Sequence, residues 1–168
     1  MRFMILIRAT ADSEAGVIPG PEMFEAMNRF NEELVEAGVM VAGEGLQPSS
    51  RGARVRFAGS SRTVTDGPFA ETKELIAGFW IWQLDSLADA IAWVKRCPNP
   101  MPGDSEIEIR QIYEVEDFGD ALPADVRAAE ERMLGVRLKD IDHSREFIVA
   151  SFHAAPLTAL NSLRRHQI

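Results

Sequence analysis

The segment Val64 to Gly78, Val-Thr-Asp-Gly-Pro-Phe-Ala-Glu-Thr-Lys-Glu-Leu-Ile-Ala-Gly, brings Asp66, Glu71, Lys73 and Glu74 together in a stretch built for turning. Gly67 relieves steric conflict and Pro68 fixes φ, so Asp66 stands at the start of a tight turn. If that turn aims Asp66 into a partly desolvated pocket, burial raises its pKa and makes the carboxylate a general base. The same residues also describe a purely structural turn. In that reading the Asp66 carboxylate bonds backbone N–H groups two residues on, and Phe69 plugs the core. The Gly67–Pro68 bond is expected trans, cis being the minority form of X–Pro peptides.

Glu71 and Lys73 are two residues apart and share a face in an extended segment, while Glu74 faces the other way. The pair either orients Lys73 toward an anionic ligand or a developing oxyanion, or forms a solvated rim pair of small energy. Glu44, between two glycines, reaches a cleft or marks a bulge. Arg8, at the end of a buried strand, is an anion binder or a surface cap. Cys97, the single cysteine, lies at a helix C-terminus, where the dipole opposes a thiolate. There is no His-Glu-x-x-His and no cysteine pair, so no metal site is expected. Gly43-Glu44-Gly45 lacks the third glycine of a dinucleotide loop, and no cofactor is expected.

The elements that hold these residues follow from periodicity. Phe3 to Ala9 is apolar on both faces and reads as a buried strand. Asp12 to Gly20 is a loop. Pro21 opens a helix whose stripe is Met23, Met27, Phe30 and Leu34, stopped by Gly38. Val39 to Ala42 is a short strand. Ala53 to Phe57 alternates Val55 and Phe57 with Arg54 and Arg56, a half-buried strand that pairs with Arg62 to Thr65. Gly78 to Leu84 is a strand carrying Trp80 and Trp82, both assigned to core or interface. Ser86 caps a helix whose apolar stripe is Leu87, Ala90, Ile91 and Val94, ended by Pro98. Ser105 to Val115 is the last strand of this unit. Pro123 starts a helix from Ala124 to Leu134, stopped by Gly135. Phe147 to Phe152 is a candidate strand and Leu157 to Arg165 a short helix.

The order strand, helix, strands, helix, strand suits an α+β fold with a ferredoxin-like split β-α-β arrangement. Two helices cover one face of such a sheet, and the other face is apolar too. Either a second subunit covers it, sheet against sheet, or the C-terminal segment does. The net charge of −8 disfavours direct nucleic-acid binding and anionic membrane surfaces. No stretch approaches a membrane span, the N-terminal apolar run is too short for a leader, and one cysteine suits a reducing compartment. These features point to a cytoplasmic protein.

Asp66-Gly67-Pro68-Phe69-Ala70-Glu71-Thr72-Lys73-Glu74, with Gly78 and the aromatic strand behind it, closely resembles the DGPF-type branch of the YCII-related family. Glu33 to Val39 and Gly45 to Ser49 resemble that branch as well. The resemblance covers residues 1–117, leaving 118–168 as a C-terminal extension. It implies a dimeric α/β barrel of ferredoxin-like subunits with a pocket between sheet and helices. Some members of the wider family use a His–Asp pair, and relatives with this barrel include lactone isomerases and a dehydrochlorinase. Here Met27 stands at the helix position of that histidine, and His143, His153 and His166 all lie outside the matching region. The chemistry expected is therefore cofactor-free proton transfer, an isomerisation or elimination on a small polar or anionic substrate. Asp66 would act as base, with Glu71, Lys73, Glu44 and Arg8 as binding residues. The alternative is a non-enzymatic ligand-sensing or interaction module acting with a regulatory protein, since members of this branch are often found beside extracytoplasmic-function sigma factors.

Overall fold

In the computed structural model, the structure describes residues 1–70 and 74–144. Four strands form an antiparallel sheet in the order β2-β5-β1-β6: β1 is Arg2–Arg8, β2 Met40–Gly45, β5 Ile76–Gln83 and β6 Ile107–Gln111. Among the described residues, strands β3 (Ala53–Ala58) and β4 (Ser61–Asp66) pair only with each other. The helices are α1 (Ala11–Glu14), α2 (Pro21–Glu36), α3 (Leu87–Val94) and α4 (Ala124–Ser144). The result is a mixed α+β architecture, compatible with a ferredoxin-like arrangement. The helix following β1 leads to β2, and the helix following β5 leads to β6, each pair separated by one intervening strand. No helix among the described residues is long and apolar enough to cross a membrane.

Register decides which side chains meet. Phe3 stands opposite Trp82 and Ile5 opposite Trp80, and all four are fully buried with Leu34 of α2. Met27, Phe30, Val39, Met40 and Ala90 complete this core. Phe30 meets the rings of Trp82 and Trp93 edge-on, each at 6.2 Å. The space is full: a Cβ on Gly43 would lie 2.5 Å from Cδ1 of Trp80. Trp80 donates from Nε1 to Oδ1 of buried Asn31 at 3.1 Å. The alternate residues Met4, Leu6, Phe79 and Ile81 occupy the opposite, open face and are only partly buried.

The caps match their sequence signals. Gly38 takes φ +69, and Val39 N–H closes α2 on Leu34 O at 2.9 Å. Ser86 Oγ accepts from Asp89 N at 3.1 Å at the start of α3.

Four expectations are corrected. The loop after Ala9 contains α1, held by a reciprocal Thr10–Ser13 cap; a helix of four residues shows no periodicity. Strand β3 is exposed throughout rather than half-buried, because no described element covers the side carrying Val55 and Phe57. The last strand is shorter than Ser105 to Val115, and Val115–Ala121 forms a 3-10 turn. Gly135 does not stop α4, which runs to Ser144; glycine inside a helix costs only about 1 kcal/mol, and no proline follows before Pro156. The strand and helix expected after residue 146 lie outside the described residues.

Glu114 ties the chain beyond β6 to the first strand. Its carboxylate accepts from Nε and Nη2 of Arg2 at 3.0 and 2.9 Å, and from the Arg2 backbone N–H at 3.3 Å. The hydrogen bond from the Arg2 side chain holds the Glu114 carboxyl below its usual pKa of 4.5. A carboxylate whose pKa is lowered by folding stabilises the fold above its unfolded pKa, and the effect fades as pH falls through the folded value. Glu114→Gln should therefore lower stability at neutral pH by about 1 kcal/mol, discounted for the pair's partial exposure. Urea titrations of both proteins across acidic pH should show this gap closing once the medium drops below 4.5. A gap that persists unchanged at low pH would contradict the assignment.

Candidate functional site

One end of the sheet gathers the sequence-marked residues. Arg8 stands opposite Ile76, Gly45 opposite Gly78 and Ile7 opposite Ile107, so β1 and β2 end where β5 and β6 begin. The ladder continues outward through Ala9 N to Leu75 O at 2.9 Å and Leu46 N to Ala77 O at 2.7 Å. The long loop that starts at Asp66 returns to the sheet here.

Arg8 is a cation already engaged. Its Nη2 pairs with Oε2 of Glu108 at 2.8 Å, its Nε lies 3.9 Å from Glu106, and Nη1 reaches the Glu74 carbonyl at 3.4 Å. Glu108 also takes Arg110 at 2.5 Å. Glu44, opposite Phe79 on the far strand, is exposed. The open face thus has an apolar centre, Met4, Leu6, Phe79 and Ile81, with Glu44 on one flank and Arg8, Glu108 and Arg110 on the other. Depleted charge at the centre and charge at the rim is the layout of a recognition surface.

The Asp-Gly-Pro-Phe turn is anchored from a distance. Ser49 donates from its backbone N–H to the Glu14 carboxylate at 3.2 and 3.1 Å, and its hydroxyl donates to the same group. The Ser49 hydroxyl in turn accepts from Phe69 N at 3.1 Å. Gly67 N–H closes the hairpin base on Gly52 O at 3.0 Å. A Cβ on Gly67 would fall 1.8 Å from the Ser49 carbonyl, so only glycine lets the two backbones touch. The Gly67–Pro68 peptide is cis rather than trans. Phe69 is half-buried beneath Arg54, whose guanidinium lies 4.0 Å from the ring centre, and it stands outside the core.

Asp66 is the last residue of β4, opposite Ala53, and is exposed. No hydrogen bond among the described residues involves its carboxylate; the residue two positions on is Pro68, which has no N–H to offer. Glu71 and Lys73 lie outside the described residues. The structure therefore gathers Arg8, Glu44 and the Glu74 carbonyl at one end of the sheet and sets Asp66 at the base of the hairpin. Sequence reading missed Glu14, which carries no local signal, and the role of Ser49. It also passed over Asn31, although a polar residue four positions after Met27 on an apolar stripe was visible.

The space between sheet and helices holds the buried rings of Trp80 and Trp82. It holds two buried N–H groups with no acceptor among the described residues, Asn31 Nδ2 and Trp82 Nε1. An open groove of about 450 Å³ lies elsewhere, between the end of α3 and the start of β6, lined by Val94, Cys97, Asn99 and Ser105. Burial pushes the Cys97 thiol up to about 12, and it donates to Pro98 O at 3.2 Å, so it is a neutral thiol rather than a nucleophile.

Ser49→Ala removes the hydroxyl that joins Glu14 to Phe69. The Phe69 amide should then lose roughly tenfold or more of its protection in hydrogen exchange, as local opening there costs one hydrogen bond less. Unchanged protection would show that the turn holds without the latch.

Residues 1–116 match the model of the YCII-related domain. The chain is also 31% identical over 86 residues to an uncharacterised protein, R00369, of Rhizobium meliloti (strain 1021), a span of 51% of this chain and 69% of that relative. The family match takes in every strand of the sheet, both helices that cover it and the anchored turn, and the chain accordingly belongs to the YCII-related family.

Proposed function

We propose that this is a small-molecule-binding protein of the DGPF branch of its family. In this reading it acts as a homodimer whose open sheet faces pack together in the manner of a dimeric α/β barrel. Its ligand is small and polar or anionic, held at the loop end of the sheet by Arg8, Glu44, Glu71 and Lys73. With Asp66 as base, such a site performs cofactor-free proton transfer, an isomerisation or an elimination. The observation that carries the reading is the convergence at one sheet end of Arg8, Glu44 and the carbonyl of Glu74, where the Asp66–Glu74 loop returns. A ligand carboxylate there competes with Glu108 for the Arg8 fork, which suits reversible binding.

One observation favours a second reading. Asp66 is exposed, and nothing described encloses its carboxylate in a site that could hold a substrate against it. A ligand-sensing module working beside a regulatory protein needs no such base.

Asp66→Asn and Lys73→Ala separate these possibilities. Titration of small mono- and dicarboxylates, followed by NMR shifts at Arg8 and Gly78, should give saturable binding to the native protein. Lys73→Ala should weaken it by roughly tenfold or more while the melting temperature stays within about 2 °C. Asp66→Asn should leave binding in place and abolish α-proton exchange of the bound acid in deuterated water. If both variants melt earlier and bind as before, the loop is structural. If binding occurs without proton exchange in the native protein, the sensing module is correct.

A further inference from the structure

The hairpin β3–β4 is a two-faced arm that nothing described covers. Val55 pairs with Val64 and Phe57 with Arg62, so these four side chains share one side; Val55, Phe57 and Val64 are 50%, 70% and 62% exposed. Arg62 lies 4.3 Å over the Phe57 ring and also bonds the carbonyls of Gly59 and Ser61. A lone two-stranded hairpin is marginal in water, and an apolar face of this kind asks for a partner. The arm is also basic in an acidic chain. Arg54, Arg56 and Arg62 against Asp66 give it +2, where the whole chain carries −8.

A surface of opposite character lies at the far corner of the sheet. Tyr113 and Phe118 stack at 5.3 Å and are 73% and 46% exposed. Around them Glu116, Asp117 and Asp120 are exposed, while Glu114 is engaged by Arg2 and Arg127 bonds the carbonyls of Val115 and Gly119 from the side of α4. The arm follows β2, one edge strand, at the loop end; the aromatic patch follows β6, the other edge strand, at the opposite end.

We infer that the arm of one copy docks on the Tyr113–Phe118 patch of a second copy, Val55, Phe57 and Val64 meeting the two rings and Arg62 meeting Glu116 and Asp120. Two diagonally opposite corners are exchanged by a two-fold axis along the sheet's other diagonal, so two arms engage two patches in one closed dimer. A polyanion such as duplex DNA would satisfy the arginines but leave Val55, Phe57 and Val64 without apolar cover, which is why a second copy is the better fit. The contact stands apart from the ligand site, and its test uses no ligand.

Charge exchange provides the test. In sedimentation equilibrium of the full chain, Arg62→Glu alone and Asp120→Arg alone should each weaken self-association by roughly tenfold. The chain carrying both exchanges should recover to within about threefold of the native value, a rescue that a merely loosened turn cannot produce. Copies bearing Phe57→Cys mixed with copies bearing Tyr113→Cys should oxidise to a covalent pair. The inference is overturned if the single variants associate as the native chain does, or if the double exchange is no better than either single. It is equally overturned if the cysteine copies do not cross-link, or if the arm binds duplex DNA with self-association untouched by Arg62→Glu.

Discussion

A β-strand with bulky apolar residues at consecutive positions cannot hide them all on one side. In β5, Trp80 and Trp82 point one way, Phe79 and Ile81 the other, and β1 repeats the pattern with Phe3 and Ile5 against Met4 and Leu6. Helices α2 and α3 bury the tryptophan side completely. The remaining side keeps an apolar centre within a charged rim. Each fully buried side chain of this size contributes roughly 1.5–3 kcal/mol, so the covered face drives folding, while the open face leaves apolar area without cover among the described residues.

The anchored turn uses a different kind of stabilisation. Its hydrogen bonds run from α1 through Ser49 to Phe69, and the contact is tight enough that position 67 must be glycine. A few long-range polar contacts thereby fix where the long loop leaves the hairpin, while Arg8 and the Leu75 backbone fix where it returns. Between those two fixed ends lie Ala70 to Glu74, the residues proposed above to reach a ligand.

Much of the sheet and its two helices could be read from sequence because hydrophobic period, caps and turn residues agree there: Met23, Met27, Phe30 and Leu34 on α2, Ser86 and Asp89 at α3, Gly38 as a stop. The hairpin was legible as strands but not in its environment, since alternation reveals two faces without saying that either finds cover. Gly135 failed as a stop because a single glycine weighs less than a continuing run of helix formers. The candidate site was legible only in part. Asp66 and Pro68 announce a turn by type, but the partner that holds it, Glu14, is 35 residues from Ser49, and no local pattern connects them.

The proposed dimer buries the open sheet face under a second copy. Solvent paramagnetic relaxation of the methionine methyls measures this directly. Met4 sits on the open face, Met27 in the core, and Met1 and Met133 are exposed. In that dimer Met4 is shielded as Met27 is at high protein concentration and broadens toward Met1 on dilution. A Met4 methyl broadened like Met133 at every concentration, or shielded equally at every concentration, would contradict it.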